Sequence, residues 1–142
     1  EMSAALGVVQ LARLPAMLAR RAEVAGMYTA RLRELPEIEP PYVDPEVEIS
    51  WFVYVVRVAR HIDRDGVMRF LQERGVECRP YFAPIHLQPF YRQQFGYREG
   101  DFAAAEDAGR RSIALPFFNS ITEEQIDYVV TILKDALHRC RR

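Results

Sequence analysis

Residues 50–58 read S-W-F-V-Y-V-V-R-V, and this stretch decides the fold. β-Branched and aromatic side chains occupy both alternating faces until Arg57, the pattern of a central strand covered on both sides. Trp51 and Tyr54 read as buried core in preference to a ligand-stacking pair. Upstream, Pro36, Pro40, Pro41 and Pro45 punctuate a surface crossing with room only for a short edge strand near Ile38 or Tyr42. Downstream, Asp63 is placed to cap a helix over 64–74, with Val67, Phe70 and Leu71 inward and Gly75 ending it in a left-handed turn. A second strand follows over 76–81.

The ends of the chain are helical. Met2, Ala5, Leu6, Val9 and Gln10 follow helical spacing from the first residues, as though the chain continued from a preceding segment. Pro15 suits the first turn of a second helix, whose stripe of Leu18, Ala22, Ala25, Tyr28, Leu32 and Leu35 runs to Pro36. The other face of that helix, with Arg20, Arg21, Glu23, Arg31, Arg33 and Glu34, reads as solvated and locally ion-paired. Further on, a short helix is expected over 89–95 and another over 101–111, capped by Asp101 with Phe102, Ala105 and Ala108 buried. A strand over 112–115 comes next. The last helix opens with a Thr122/Gln125 capping box and an Ile121/Ile126 staple, and Ile126, Val129, Val130, Leu133 and Leu137 face the core. The sum is an α/β lobe of α+β type: a long N-terminal helix and a mixed or antiparallel sheet of roughly four strands flanked by helices.

At 142 residues with 49% hydrophobic and 27% charged side chains, one domain with a real core is expected. A formal net charge of −1 provides no basic stripe for nucleic acid or an anionic membrane. Apolar runs such as 52–56 are too short to cross a bilayer, and no secretion signal is visible, so a cytoplasmic protein is expected. Cys78 and Cys140 make no metal-ligand spacing, and Cys78 reads as a reduced, buried thiol. Of 19 basic residues only Lys134 is a lysine, and it falls on the polar face of the last helix.

Chemistry concentrates in residues 75–92, G-V-E-C-R-P-Y-F-A-P-I-H-L-Q-P-F-Y-R. Three prolines there force an irregular path that no helix can follow. Such a path, lined by Arg79, Tyr81, Phe82, His86, Gln88 and Tyr91, can present polar groups to a ligand. It can equally be a connector whose aromatics cap the core. His86 suits hydrogen bonding or proton transfer near neutral pH, or a satisfied structural role. Arg79 suits a carboxylate or phosphate, or a surface ion pair with Glu77 or Glu99. A Cys78/His86 nucleophile pair is conceivable, although a strand cysteine is ordinarily packing. No phosphate loop, dinucleotide fingerprint, nucleophile elbow or H-E-x-x-H occurs.

These pieces, in order over nearly the whole chain, resemble the C-terminal part of the DegT/DnrJ/StrS-type sugar aminotransferases. The most specific are the proline-histidine-glutamine segment and the closing S-I-A-L-P-F-F-N-S-I-T-E-E-Q block. The resemblance implies a small domain, residues 1–142, of an enzyme with the aspartate aminotransferase (type I) fold. Residues 1–35 would be its helical connection to a large domain carrying pyridoxal phosphate on a lysine. It implies a homodimer that moves an amino group from glutamate to a nucleotide-linked keto sugar. His86, Arg79, Tyr81 and Gln88 would then help hold substrate. The cofactor lysine and its neighbours would precede Glu1, leaving this chain by itself without catalysis or cofactor-binding residues. The competing reading is a stand-alone, non-enzymatic α+β ligand-binding or regulatory module.

Overall fold

The computed structural model describes residues 1–141. Its elements in chain order are α1 (Met2–Leu32), β1 (Ile38–Glu39), β2 (Tyr54–Val58), α2 (Arg64–Gln72), β3 (Arg79–Pro80), α3 (Pro89–Phe95), α4 (Ala103–Arg111), β4 (Ser112–Leu115) and α5 (Glu123–Arg139), with a single 3-10 turn at Ile85–Leu87. The strands form one sheet in the order β1-β2-β4-β3. All three pairings are antiparallel, with Tyr54 opposite Leu115 and Val56 opposite Ile113 at the centre.

β2 is interior to the sheet, as residues 50–58 suggest, but it is shorter and only one face is fully covered. Tyr54, Val56 and Val58 are completely buried while Arg57 is exposed and Val55 lies between. An antiparallel sheet can pack one face and leave the other partly open, so an apolar run need not mean burial on both sides. Tyr28 stacks on Tyr54 with ring centroids 5.0 Å apart, and the Tyr54 hydroxyl shares a 2.7 Å hydrogen bond with Thr29. α5 packs against both α1 and α2, burying Ile126, Val129, Leu133, Ala136 and Leu137. Val130 is only half-buried.

α1 differs from the two expected helices. Pro15 sits inside one continuous helix of 31 residues: a proline removes a single ladder bond, and the turns on either side keep theirs. The buried stripe is Val24, Ala25, Tyr28 and Leu32, while Ala22 is exposed. As one helix, α1 is long and apolar enough to cross a membrane by length and composition, with a mean hydropathy of 1.4 in its most apolar window. That window is unburied, whereas the C-terminal half of α1 is built into the core.

The polar face of α1 is also more than solvated. The Arg20 guanidinium donates to the carbonyls of Asn119 (3.2 Å) and Ile121 (2.8 Å). Arg21 donates to Asn119 Oδ1 (2.9 Å) and to the Trp51 carbonyl (3.0 Å). Together they clamp the loop between β4 and α5 onto α1, and Asn119 returns a bond to the Met17 carbonyl at 3.1 Å.

Candidate functional site

The proline-rich stretch leaves β3 and folds against α4. Phe82 adopts φ +46°, a conformation that costs a bulky side chain about 1–2 kcal/mol and recurs at sites where geometry is imposed from outside. Pro84 then lies against Gly109 of α4, where a Cβ would meet Pro84 Cδ at 2.9 Å. The 3-10 turn carries His86 inward, and Pro89 opens α3 at the position where its missing N–H does no harm. Left-handed Gly96 and Gly100 turn the chain back toward α4.

These elements border an open cavity of about 650 Å³ lined mainly by aromatic and small residues, among them Tyr81, Phe82, His86, Tyr91, Tyr97 and Phe102. Its wall is a chain of ring contacts: Tyr91 to Phe95 at 6.0 Å, Phe95 to Tyr97 at 5.8 Å, Tyr97 to Phe102 at 5.5 Å and Phe102 to His86 at 4.7 Å. His86 is only 8% exposed, and its Nε2 lies 2.9 Å from Oε1 of Glu106, itself 2% exposed. Glu106 Oε1 also accepts from the Gly100 amide at 2.8 Å and, more weakly, from the Phe102 amide at 3.4 Å. Burial works against ionisation of Glu106, yet the Gly100 amide, the His86 ring and the Phe102 amide hold its carboxyl below the ordinary value.

The four candidate residues separate. His86 and Tyr81 share the aromatic cavity. Arg79 is exposed and lines a second groove of about 660 Å³ between β3, β4 and the start of α5. Among the described residues it makes no ion pair, and Glu99 is engaged instead by Arg110 at 3.5 Å, so the surface-pair reading of Arg79 does not hold. Gln88 is the exposed N-cap residue of α3 and makes no side-chain cap bond. Tyr81 packs edge-on against Phe82 at 4.7 Å.

The nucleophile reading fails on position and on protonation. Cys78 lines the second groove, and burial pushes its thiol up to about 11, far from the thiolate that chemistry requires. Glu106 is the residue of this cluster that the sequence pattern does not single out. The helix expected over 101–111 leaves Phe102 and Ala105 exposed, and Glu106 is the one buried residue of α4. The available signal is the first of two adjacent acids, four residues after Phe102, in the run A-A-A-E-D-A-G. Lys134 is exposed on α5 and lines none of the described cavities.

The comparisons agree with this architecture. A spore coat polysaccharide biosynthesis protein of Bacillus subtilis, SpsC, is 32% identical over 139 residues, covering 95% of this chain and 36% of the relative. The dTDP-4-dehydro-2,3,6-trideoxy-D-glucose 4-aminotransferase of Saccharopolyspora spinosa is 33% identical over 138 residues, 96% of this chain and 34% of the relative. The structure of DesV from S. venezuelae in complex with a ketimine intermediate superposes with a TM-score of 0.85 at 30% identity, covering 94% of this chain and 35% of that one. The chain thus spans about a third of the length of the curated relatives it matches. The profile of the DegT/DnrJ/EryC1/StrS aminotransferase family matches residues 1–134, and the chain belongs to that family.

Proposed function

We propose that residues 1–142 form the C-terminal small lobe of a cytoplasmic, homodimeric, pyridoxal-phosphate-dependent aminotransferase. In this reading residues 1–35 connect it to a large domain. The enzyme would move an amino group from glutamate to a nucleotide-linked keto sugar. The observation that carries the reading is a family match over nearly the whole chain that covers only a third of each relative. Pyridoxal phosphate supplies the electron sink for such chemistry, and its lysine would come from the large domain.

This lobe contributes binding and closure. His86 and Tyr81, in the aromatic cavity, would contact the sugar nucleotide. Arg79, with no ion partner among the described residues, is available for a bidentate bond to a carboxylate such as that of glutamate. Gln88, at the start of α3, would add a hydrogen bond at the rim. The exposed apolar residues Met2, Leu6, Val8, Val9 and Leu11 near the start of α1 are apolar surface that the large domain would cover.

The test is the visible absorption spectrum of the full-length protein with pyridoxal phosphate, before and after glutamate. Loss of the lysine-bound cofactor band on adding glutamate, and its return on adding a nucleotide-linked keto sugar, is expected. If no cofactor band forms, the aminotransferase reading fails and a non-enzymatic binding module takes its place.

A further inference from the structure

Glu106 is an acid on the inward side of α4, 2% exposed, and such a group persists only when its oxygens are bonded. Oε1 receives the Gly100 and Phe102 amides and faces His86 Nε2 at 2.9 Å. Oε2 faces the Arg110 guanidinium at 3.6 Å. With its carboxyl held below the ordinary value of 4.5, Glu106 is ionised near neutral pH and can only accept hydrogen bonds. The proton between the two residues therefore belongs to the imidazole, on Nε2.

A neutral imidazole protonated on Nε2 carries its lone pair on Nδ1. Among the described residues every fully buried side-chain nitrogen or oxygen has a partner. Among those same residues His86 Nδ1 makes no bond to protein, which leaves it the ring nitrogen free to accept from a ligand in the cavity His86 lines. The cavity itself is apolar and aromatic, which makes one fixed acceptor in its wall a strong source of orientation.

We propose that Glu106 is a positioning residue that locks His86 in the Nε2–H tautomer and so presents Nδ1 as the acceptor for a ligand hydroxyl in the aromatic cavity. This rests on the cavity being the sugar-nucleotide site. It narrows the ligand class to molecules that place a hydroxyl donor against His86. A ligand with a deoxy or methoxy group at that place leaves Nδ1 desolvated and unpaired, and is disfavoured.

Nitrogen NMR of 15N-histidine-labelled full-length protein, with His86 assigned by a His86→Gln variant, tests the lock directly. The wild type is expected to show His86 as a single Nε2–H tautomer whose Nδ1 resonance shifts when dTDP-glucose is added as probe. Glu106→Gln, whose amide can donate as well as accept, is expected to mix the tautomers and weaken dTDP-glucose binding by about tenfold, the worth of one hydrogen bond. Glu106→Asp should restore part of the tautomer preference. A mixed or Nδ1–H wild-type spectrum overturns the proposal, even if neither variant folds. So does a single Nε2–H tautomer that survives in Glu106→Gln. Tautomer control without any response of His86 to dTDP-glucose overturns the substrate reading of the cavity, and the acceptor role with it, while leaving the Glu106–His86 pairing in place.

Discussion

α5 and the segment from β3 to α4 both bury apolar surface while satisfying polar groups, and they do so by opposite means. α5 is organised locally. The Thr122 hydroxyl accepts from the Gln125 amide at 3.3 Å, the Gln125 side chain accepts from the Thr122 amide at 3.0 Å, and Ile121 and Ile126 close over this start, both buried. Residues 80–111 depend on distant partners: Pro84 on Gly109, and His86 on Glu106, twenty positions away. Where apolar periodicity and a cap coincide, a helix is specified within one turn. Where a chain must hold a cavity open, its shape depends on single contacts between separate elements.

Variants that break the comparison should differ in kind on the two sides. The largest effect belongs to the core: Leu133→Ala removes a completely buried side chain from α5 and should cost about 2–5 kcal/mol by urea denaturation. Gly109→Ala should follow. Its Cβ would press on Pro84 at 2.9 Å, an overpacking cost of about 1–3 kcal/mol, against a gain in helix propensity of up to about 1 kcal/mol. Gly26→Ala in α1 is the control, because nothing lies within 4 Å of the added carbon. It should stabilise by up to about 1 kcal/mol, and equal behaviour of the two glycines would refute the close approach at Gly109.

Thr122→Ala should cost about 1 kcal/mol by removing the cap, with hydrogen exchange accelerating first in the opening turn of α5. A loss spread evenly over the lobe would instead mean that α5 is held by its packing alone. The smallest effect concerns pH. Glu106 titrates below its ordinary 4.5 in the fold, so its contribution is present above that value and fades as pH falls through the lower folded value. Stability curves of wild type and Glu106→Gln should therefore converge in acid and separate toward neutrality. Parallel curves across that range would show that Glu106 is not held ionised by its partners.

Local signals account for much of the lobe. The helix 89–95, the strand 112–115, the edge strand at Ile38, the left-handed Gly75 and the T-x-x-Q cap all stand where those signals put them. His86 and Tyr81 are legible in the sequence as residues of an irregular, proline-bounded path. Glu106 is not, because an acid beside a second acid, Asp107, on a helix with exposed alanines has no local mark of burial. Its partners, the His86 ring and the Gly100 amide, lie on other elements. The solvated reading of Arg20 and Arg21 misses their bonds to Asn119 for the same reason: those carbonyl and amide acceptors lie about a hundred positions away.

Capping, turn residues and periodicity placed most of the helices and strands, since each such signal depends on residues within a few positions of one another, while the family resemblance rested on motifs taken in order along the chain. Tertiary structure alone decided that β4 enters between β2 and β3, that one face of β2 stays partly open, and that His86 meets Glu106 beside an aromatic cavity. Those outcomes depend on which distant surfaces meet. The sequence specifies such meetings through the free energy of the whole packed chain, and no short window of residues contains that sum.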